Sequence, residues 1–269
     1  MEDQSLVRDH VHASEVARIE AAYRARDAGE AVSVYRFSNP GYAFHMQALE
    51  WALLEAFRRS PVNLQGANVL DVGCGSGYLL HRLVEFGAGD STGVDLMPAR
   101  VEAARNRYPG IRFTCVDAAN LPFDHAQFDI VTQFTCLSSV LDPGLRSAIA
   151  AEMWRVLRPG GIVLSYDMRL PSWPVRAMRS AGEWRRRGQS ASAEAATPTT
   201  SISADELHRL FPDATLRYEP VGLAFGLCGM AARSTLAAQL LASLPVFREH
   251  AIGFVAKPPS RSDGTRAAA

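Results

Sequence analysis

A glycine-rich turn after an apolar strand is the part of the sequence best suited to bind a ligand. The segment VLDVGCGSG occupies residues 69–77 and places Gly73, Gly75 and Gly77 at alternate positions. Glycine permits a positive φ and lets a bound group come close to the backbone amides. A helical pattern, YLLHRLV, follows directly over residues 78–84. This order of strand, glycine loop and helix predicts a cofactor-binding turn at the edge of an open α/β sheet.

Two kinds of cofactor compete for this loop. A dinucleotide fingerprint has the spacing G-x-G-x-x-G, whereas this loop reads G-x-G-x-G and has Asp71 in the strand before it. A carboxylate there repels a pyrophosphate but suits a cofactor with ammonium and sulfonium charges. Asp95 ends the second predicted strand, where an acidic residue can accept hydrogen bonds from both hydroxyls of a ribose. The pattern therefore disfavours a phosphate-bearing cofactor.

With these residues the sequence resembles the class I S-adenosylmethionine-dependent methyltransferases, especially the small-molecule branch that includes the ubiquinone and menaquinone methyltransferases. The resemblance covers roughly residues 66–168. It rests on five blocks in the order and at the spacing of the family, namely VLDVGCGSG, GVDL, VDAANLPF (116–123), FDIVTQF (128–134) and RVLRPGG (155–161). It implies S-adenosyl-L-methionine as the cofactor and methyl transfer as the reaction.

The cofactor is expected at the carboxyl ends of the first four strands, where open α/β sheets bind ligands. Asp71 is expected to face the ammonium group and Asp95 the ribose hydroxyls. Asp117 is expected to bind the exocyclic amine of adenine, or alternatively to cap a turn. Gln133 is expected to offer a carbonyl beside the reactive methyl. Further contacts are expected from Gly73, Cys74, Gly75, Ser76, Leu96, Met97 and Ala118.

The candidate catalytic residues are His45 and Asp167. Methyl transfer from a sulfonium is an in-line displacement, so positioning supplies much of the catalysis. A base is needed only where the acceptor carries a proton at neutral pH. His45 follows an aromatic segment at 35–44, and Asp167 lies near the end of the fifth strand. A capping or surface role for His45, and a divalent-ion pair of Asp142 with Asp167, remain open.

The elements that position these residues follow from alternating strand and helix patterns, which predict right-handed parallel crossovers. We therefore expect a doubly wound sheet of class α/β. The resemblance implies a seven-stranded Rossmann-like methyltransferase sheet, with the last strand antiparallel between the fifth and sixth. Pro159-Gly160-Gly161 is interpreted as a turn. The predicted strands are 68–72, 91–95, 111–116, 128–134, 162–168, 214–224 and 250–257.

Three parts of the chain are predicted. Residues 1–60 form an N-terminal helical lid with helices at 13–29 and 43–59, joined through a turn at Asn39-Pro40-Gly41. Residues 61–257 form the methyltransferase domain, with an insertion at 171–202. Residues 258–269 form a polar, disordered tail.

Composition and motifs limit the classes of partner that the protein is expected to bind. Acidic and basic residues number 28 each, so no global charge points to nucleic acid. The sequence QFTC at the end of the fourth strand lacks the [DN]-P-P-[YFW] motif of enzymes that methylate nucleic-acid bases. The Trp- and Arg-rich segment 173–187 is interpreted either as a solvated insertion or as a contact to a membrane surface. A homodimer is left open.

The cell compartment is predicted from cysteines and apolar stretches. The four cysteines have no C-x-x-C spacing and are interpreted as buried thiols of a reducing compartment. The polar N-terminus and the lack of a long apolar stretch predict a soluble, cytoplasmic protein.

We therefore predict metal-independent methyl transfer from S-adenosylmethionine to a small molecule. O-methylation of a secondary metabolite or of a sugar or glycan precursor is preferred. The alternatives are a C-methyltransferase of the quinone-biosynthesis type and a non-catalytic cofactor-binding scaffold, with a dehydrogenase as a more distant alternative.

Overall fold

A seven-stranded mixed sheet forms the centre of this computed structural model, which describes residues 2–28, 35–177 and 198–260. The strands are β1 (Val69–Val72), β2 (Ser91–Asp95), β3 (Arg112–Cys115), β4 (Phe128–Phe134), β5 (Leu157–Met168), β6 (Thr215–Leu223) and β7 (Arg248–Ala256). Their order is β3-β2-β1-β4-β5-β7-β6. β1 to β5 pair in parallel, whereas β7 pairs antiparallel with both β5 and β6. The predicted seven-stranded sheet with an antiparallel last strand is confirmed.

Helices cover both faces of the sheet. They are α1 (Glu2–Ala28), α2 (Pro40–Arg58), α3 (Tyr78–Glu85), α4 (Pro98–Arg107), α5 (Cys136–Ser139), α6 (Pro143–Val156), α7 (Ala204–Leu210), α8 (Phe225–Cys228) and α9 (Thr235–Ser243). Apolar side chains of α2, α3 and α4 pack on one face, and those of α5, α6 and α7 on the other. Short 3₁₀ turns at Gly229–Ala232 and Pro245–Phe247 flank α9.

The two faces of β5 receive alternate side chains. Leu164 and Tyr166 pack in the core cluster that includes α2 and α3, whereas Val163 packs in the cluster that includes α6. Because successive strand residues point to opposite faces, Asp167 lies on the α6 side together with Ser165. At the end of β5, Tyr166 therefore faces α2, whereas Asp167 faces α6.

The helices begin earlier than predicted. α1 starts at Glu2, well before residue 13. α2 starts at Pro40, where proline fits the first turn, and Asn39 caps it because its Oδ1 accepts a hydrogen bond from the Gly41 amide at 3.0 Å. The predicted turn therefore ends at Asn39, and Pro40 and Gly41 already belong to the first turn of α2.

β5 also begins earlier than predicted. It starts at Leu157, so Pro159-Gly160-Gly161 lies inside the strand and the interpretation as a separate turn is wrong. The β4–β5 register shifts between Phe128 and Ile130, and Gly160 has φ +76°. A strand irregularity with a glycine in the left-handed region is typical of a bulge.

Some predictions concern residues outside the described ranges. These are 29–34 of the lid, 178–197 of the insertion with Trp184 and its neighbouring arginines, and 261–269 of the tail. Among the cysteines, Cys74 and Cys228 are buried and Cys136 is half-buried, but Cys115 is exposed, so the prediction of four buried thiols is wrong there. No helix within the described ranges is both long and apolar enough to cross a membrane.

Candidate active site

A cavity of about 600 Å³ lies at the carboxyl ends of the parallel strands, beneath α1 and beside α2. This volume is typical of small-molecule sites. One half is lined by the glycine loop and acidic side chains, and the other half by aromatic and histidine side chains. The first half includes Asp71, Gly73, Cys74, Gly75, Ser76, Asp95, Leu96, Met97, Asp117 and Ala118. The second includes Tyr35, Tyr42, His45, Phe134, Tyr166, Phe225 and His250.

The glycines of the loop have different roles. Gly73, Gly75 and Gly77 all have positive φ, at +72°, +55° and +80°. A Cβ on Gly73 would lie 2.8 Å from Sγ of Cys136, and one on Gly77 would lie 2.6 Å from the ring of Phe113. Among the described residues, a Cβ on Gly75 would have only the Arg100 guanidinium within 4 Å, at 3.9 Å. Gly75 therefore leaves open backbone at the cavity wall, where a ligand can approach.

Two buried carboxylates flank this loop. Asp71 is 1 % exposed, and its Oδ1 accepts a hydrogen bond from the Thr132 hydroxyl at 2.8 Å. Burial raises the pKa of Asp71 to about 7. Asp95 accepts hydrogen bonds from the amides of Gly75 at 2.8 Å and Met97 at 2.9 Å, and burial raises its pKa above the ordinary value. This half of the cavity suits a cationic, hydroxyl-bearing ligand better than a pyrophosphate.

Asp117 has protein partners on both of its oxygens. Oδ1 accepts a hydrogen bond from the Ala119 amide at 2.9 Å, and Oδ2 lies 2.5 Å from Nε2 of His12. The turn-capping role that the sequence left open is therefore present. Asp117 also lines the cavity together with Ala118. A carboxylate has about four acceptor positions, so capacity for a ligand amine remains.

α1 lies over the cavity and is attached by polar contacts. Glu15 accepts hydrogen bonds from the amides of Leu141 at 2.5 Å and Asp142 at 3.3 Å. Arg18 donates to the carbonyl of Ser139 at 2.7 Å, and the Tyr23 hydroxyl lies 2.9 Å from the Ser139 hydroxyl. The side chains of α1 that line the cavity include Val16, Ile19 and Tyr23.

His45 lies in the aromatic half of the cavity and is 8 % exposed. Its Nε2 is 3.3 Å from the Tyr166 hydroxyl, and its buried Nδ1 has no hydrogen-bond partner among the described residues. Burial lowers the pKa of His45 to about 4, so the ring is neutral at pH 7. Burial also raises the pKa of Tyr166 well above its ordinary value, so its hydroxyl stays protonated.

Asp167 and Gln133 do not line the cavity, which corrects two sequence predictions. Both are buried on the α6 side of the sheet, where the Gln133 amide donates to the Asp167 carboxylate. Asp167 also accepts hydrogen bonds from the Ser165 hydroxyl at 2.9 Å and the Ser138 amide at 3.0 Å. Burial raises the pKa of Asp167 to about 6. This network fixes the start of α5 against the strand ends and has no direct access to a ligand.

His250 is a cavity residue that the sequence prediction missed. Its ring stacks on Tyr166 with centroids 4.9 Å apart and lies 5.0 Å from the ring of His45. One signal was available, because an antiparallel strand begins at the edge where its parallel neighbours end. The first residues of β7 therefore had to lie beside the end of β5, as the pairing of Met168 with His250 shows.

Residues 69–161 match a family described as "Methyltransferase domain". The chain carries a methyltransferase domain. The predicted resemblance to S-adenosylmethionine-dependent methyltransferases is confirmed. Within the described ranges, no group of three or more His, Cys, Asp or Glu side chains is arranged to hold a metal ion.

Two curated methyltransferases show the extent of sequence similarity. Phthiotriol/phenolphthiotriol dimycocerosates methyltransferase of Mycobacterium leprae is 40 % identical over 129 residues, covering 46 % of this chain and 43 % of that protein. Ubiquinone biosynthesis O-methyltransferase of Psychrobacter cryohalolentis is 37 % identical over 122 residues, covering 42 % and 46 %. The chain therefore aligns with less than half the length of either relative.

Solved structures share the fold over most of the chain. A SAM-dependent methyltransferase from Methanosarcina mazei has a TM-score of 0.52 at 19 % identity, covering 77 % of this chain and 97 % of that one. The [4+2]-cyclase SpnF has a TM-score of 0.53 at 20 % identity, covering 79 % and 83 %. A cyclase among these neighbours means that the fold alone does not specify the reaction.

S-adenosylmethionine is the cofactor of this domain, and the residues present fit it. Gly75 leaves open space at the loop, and the buried carboxylate of Asp71 provides negative charge for an ammonium group. Asp95 lies at the end of β2 and lines the same half of the cavity.

Proposed function

We propose that the protein transfers the methyl group of S-adenosylmethionine to a hydroxyl of a small molecule with an apolar body, without a metal ion. The observation that supports this most is the buried Nδ1 of His45, which lies beside a cavity with aromatic walls and has no hydrogen-bond partner in the described part of the chain. A buried polar atom without a partner is unfavourable. A hydroxyl of the bound acceptor would provide the missing hydrogen bond.

The acidic half of the cavity would hold the cofactor. Asp71 would bind the ammonium group, Asp95 the ribose hydroxyls and Asp117 the adenine amine, while Leu96 and Met97 would cover one face of adenine. When bound, the cofactor supplies an activated methyl group on a sulfonium. The protein then has to exclude water and align the acceptor, and such positioning is worth several kcal/mol of barrier. Residues 1–60 would act as the lid that excludes water, through the contacts of α1 across the cavity.

The aromatic half of the cavity, which we call the acceptor half, would hold the acceptor and supply the base. If Nε2–H of His45 donates to the Tyr166 oxygen, Nδ1 keeps a lone pair that can take the acceptor proton as the C–O bond forms. Tyr166 would then be a positioning residue, since it fixes the tautomer of His45. Because burial holds the pKa of His45 at about 4, the ring is a weak base at neutral pH. A weak base favours an acidic hydroxyl, such as that of a phenol or enol.

The chemistry of the walls and the names of the relatives support the same acceptor class. Aromatic residues such as Tyr42, Phe134 and Phe225 line this half, which suits a flat or apolar acceptor. O-methyltransferase cnsE of Penicillium expansum is 36 % identical over 117 residues, covering 41 % of each chain. Its name and that of the ubiquinone biosynthesis enzyme refer to O-methylation. A secondary metabolite with a phenolic or enolic hydroxyl is therefore preferred over a sugar or glycan precursor.

A labelled-methyl assay tests the proposal. The purified chain is incubated with methyl-labelled S-adenosylmethionine and a panel of phenols, matched aliphatic alcohols and sugars, and mass spectrometry locates the label. We expect a labelled methyl ether on phenolic or enolic members. A methyl group on carbon would support the quinone-type alternative. Binding of the cofactor with no transfer to any acceptor of the panel would support a non-catalytic scaffold.

A further inference from the structure

The outer surface around α9 carries exposed apolar side chains, and we propose that it docks onto an anionic lipid bilayer. We name this surface the apolar face. Trp173 is 73 % exposed, Leu236 is 66 % exposed and Leu240 is 61 % exposed. The face consists of Leu170, Trp173, Leu236, Leu240, Leu244 and Val246, all of them exposed.

Three chain segments are joined in this face. Leu236 and Leu240 are one helical turn apart on α9 and share one side. Val175, in the helical turn at 173–177, packs in one cluster with Ala238 of α9. The Ser172 hydroxyl donates to the carbonyl of Val246, and Arg169 donates to the carbonyl of Arg248 at 3.1 Å. The exposed apolar side chains therefore belong to a single packed unit.

The charge of this unit complements an anionic surface. In residues 169–177 and 223–248 the charged side chains are Arg169, Arg176, Arg233 and Arg248, with no aspartate or glutamate. Arg176 and Arg233 are exposed. Apolar side chains flanked by arginines are the combination that binds the interface of anionic membranes.

The same charge disfavours a second copy of this chain as the occupant. In a two-fold symmetric interface the same face meets itself, so its arginines would lie opposite arginines. Anionic headgroups would instead compensate those charges. The cluster beneath this face also adjoins the cavity wall, because Ala224 belongs to the cluster that contains Val175 and Ala238, and the next residue, Phe225, lines the cavity.

Trp51 offers a matched control for Trp173. It is 74 % exposed, but it lies on α2, which also carries Glu50 and Glu55. Glu50 is paired with Arg82 and Glu55 with Arg58 and Arg59, so the arginines near Trp51 are compensated by carboxylates, unlike those of the apolar face. The two tryptophans therefore separate docking through the apolar face from general adhesion of exposed tryptophans.

Vesicle flotation of the full chain tests the proposal. We expect the chain to float with vesicles of phosphatidylcholine mixed with phosphatidylglycerol, and not with phosphatidylcholine alone. The double variant Leu236→Glu with Leu240→Glu should lower partitioning by at least about tenfold, since each leucine loses its apolar burial in the interface. Arg176→Gln and Arg233→Gln should each lower it by about fivefold.

Substituting each of the two tryptophans separately gives the decisive comparison. Trp173→Ala should weaken flotation, while Trp51→Ala should leave it unchanged. Titration with S-adenosylhomocysteine checks that each variant is folded, independently of any acceptor. The proposal is overturned if the wild-type chain does not float, if it floats equally with both lipids, or if Trp51→Ala weakens flotation as much as Trp173→Ala. It is also overturned if the leucine variant only dissociates a dimer and keeps its vesicle binding.

Discussion

The Tyr166 hydroxyl lies 3.3 Å from Nε2 of His45, and this contact joins the end of β5 to α2 at the wall of the cavity. Tyr166 stays protonated and His45 stays neutral because both are buried. The contact therefore joins two groups that are both uncharged at neutral pH. In the proposed tautomer, with Nε2–H donating to the Tyr166 oxygen, Nδ1 of His45 would be the proton acceptor beside the acceptor half of the site.

His45→Gln should lower turnover by at least about tenfold, the lower end of the range for general-base catalysis, with cofactor affinity unchanged. Because the pKa of His45 is about 4, its protonation should not inhibit turnover until the pH approaches 4. The lowered pKa of His45 also predicts how the free energy of unfolding changes with pH. The folded pKa lies below the ordinary 6.5, so His45 destabilises the fold as the pH falls from 6.5 toward 4.

Steady-state kinetics of His45→Gln and of His81→Gln as the control would check this. His81 lies on α3 and stacks on Tyr108, outside the cavity lining. Full turnover of His45→Gln on the true acceptor would show that His45 is not the catalytic base.

Asp71 should release a proton when the cofactor product binds. Its pKa is about 7, so about half of the carboxyls are protonated at pH 7. A neighbouring ammonium group lowers the pKa of a carboxyl, and affinity should therefore rise as the pH rises through 7. Calorimetric titration with S-adenosylhomocysteine in two buffers of different ionisation enthalpy measures the proton release. Equal release by wild type and Asp71→Asn would contradict this role.

Asp167→Asn should destabilise the fold without changing turnover per folded molecule. The asparagine amide would face donors such as the Gln133 amide or the Ser138 backbone, so at least one buried hydrogen bond is lost. The expected loss in free energy of unfolding is about 1–3 kcal/mol at pH 8. Urea unfolding with parallel activity measurements would check this. A stable variant that has lost turnover would indicate that Asp167 takes part in catalysis.

The raised pKa of Asp167 also predicts that the free energy of unfolding depends on pH. Since the folded value of about 6 exceeds the ordinary 3.8, wild type should lose stability as the pH rises from about 4 to 6. The asparagine variant should lack that contribution.

α1 should become more protected from hydrogen exchange when S-adenosylhomocysteine binds. Its attachments to Leu141 and Ser139 are polar and sparse, while Val16, Ile19 and Tyr23 face the cavity. A ligand beneath them would add apolar contacts and slow local opening. Exchange over residues 13–26 measured by mass spectrometry, with β6 as the internal reference, would check this. Equal exchange with and without ligand would make α1 a fixed part of the scaffold.

The sheet and the loop could be predicted because their signals are local. Alternating strands and helices predicted the parallel strands, and the glycine spacing with Asp71 and Asp95 predicted the cofactor half. The antiparallel place of β7 was implied by the resemblance to the methyltransferases. The end of β5 could not be predicted as reliably. IVLSYDM is apolar over most of its length because the strand is buried on both faces, so the pattern does not tell which face Tyr166 or Asp167 occupies. A shift of one residue exchanges those faces.

Some long-range contacts also could not be predicted from the sequence. The pairing of His12 with Asp117 joins residues 105 positions apart, and nothing in either local segment indicates the other. The cover of the cavity by α1 depends on such contacts. The place of His250 beside Tyr166 follows from β7 lying beside β5, so the expected strand order already contained this contact.

Calorimetric titration of the full chain with S-adenosylhomocysteine and with NAD tests most directly whether this cavity is a methyltransferase cofactor site. We expect binding of S-adenosylhomocysteine, weakened by about 1.5–3 kcal/mol in a folded Asp95→Ala variant, and no measurable binding of NAD. Binding of NAD with no response to S-adenosylhomocysteine would contradict the assignment.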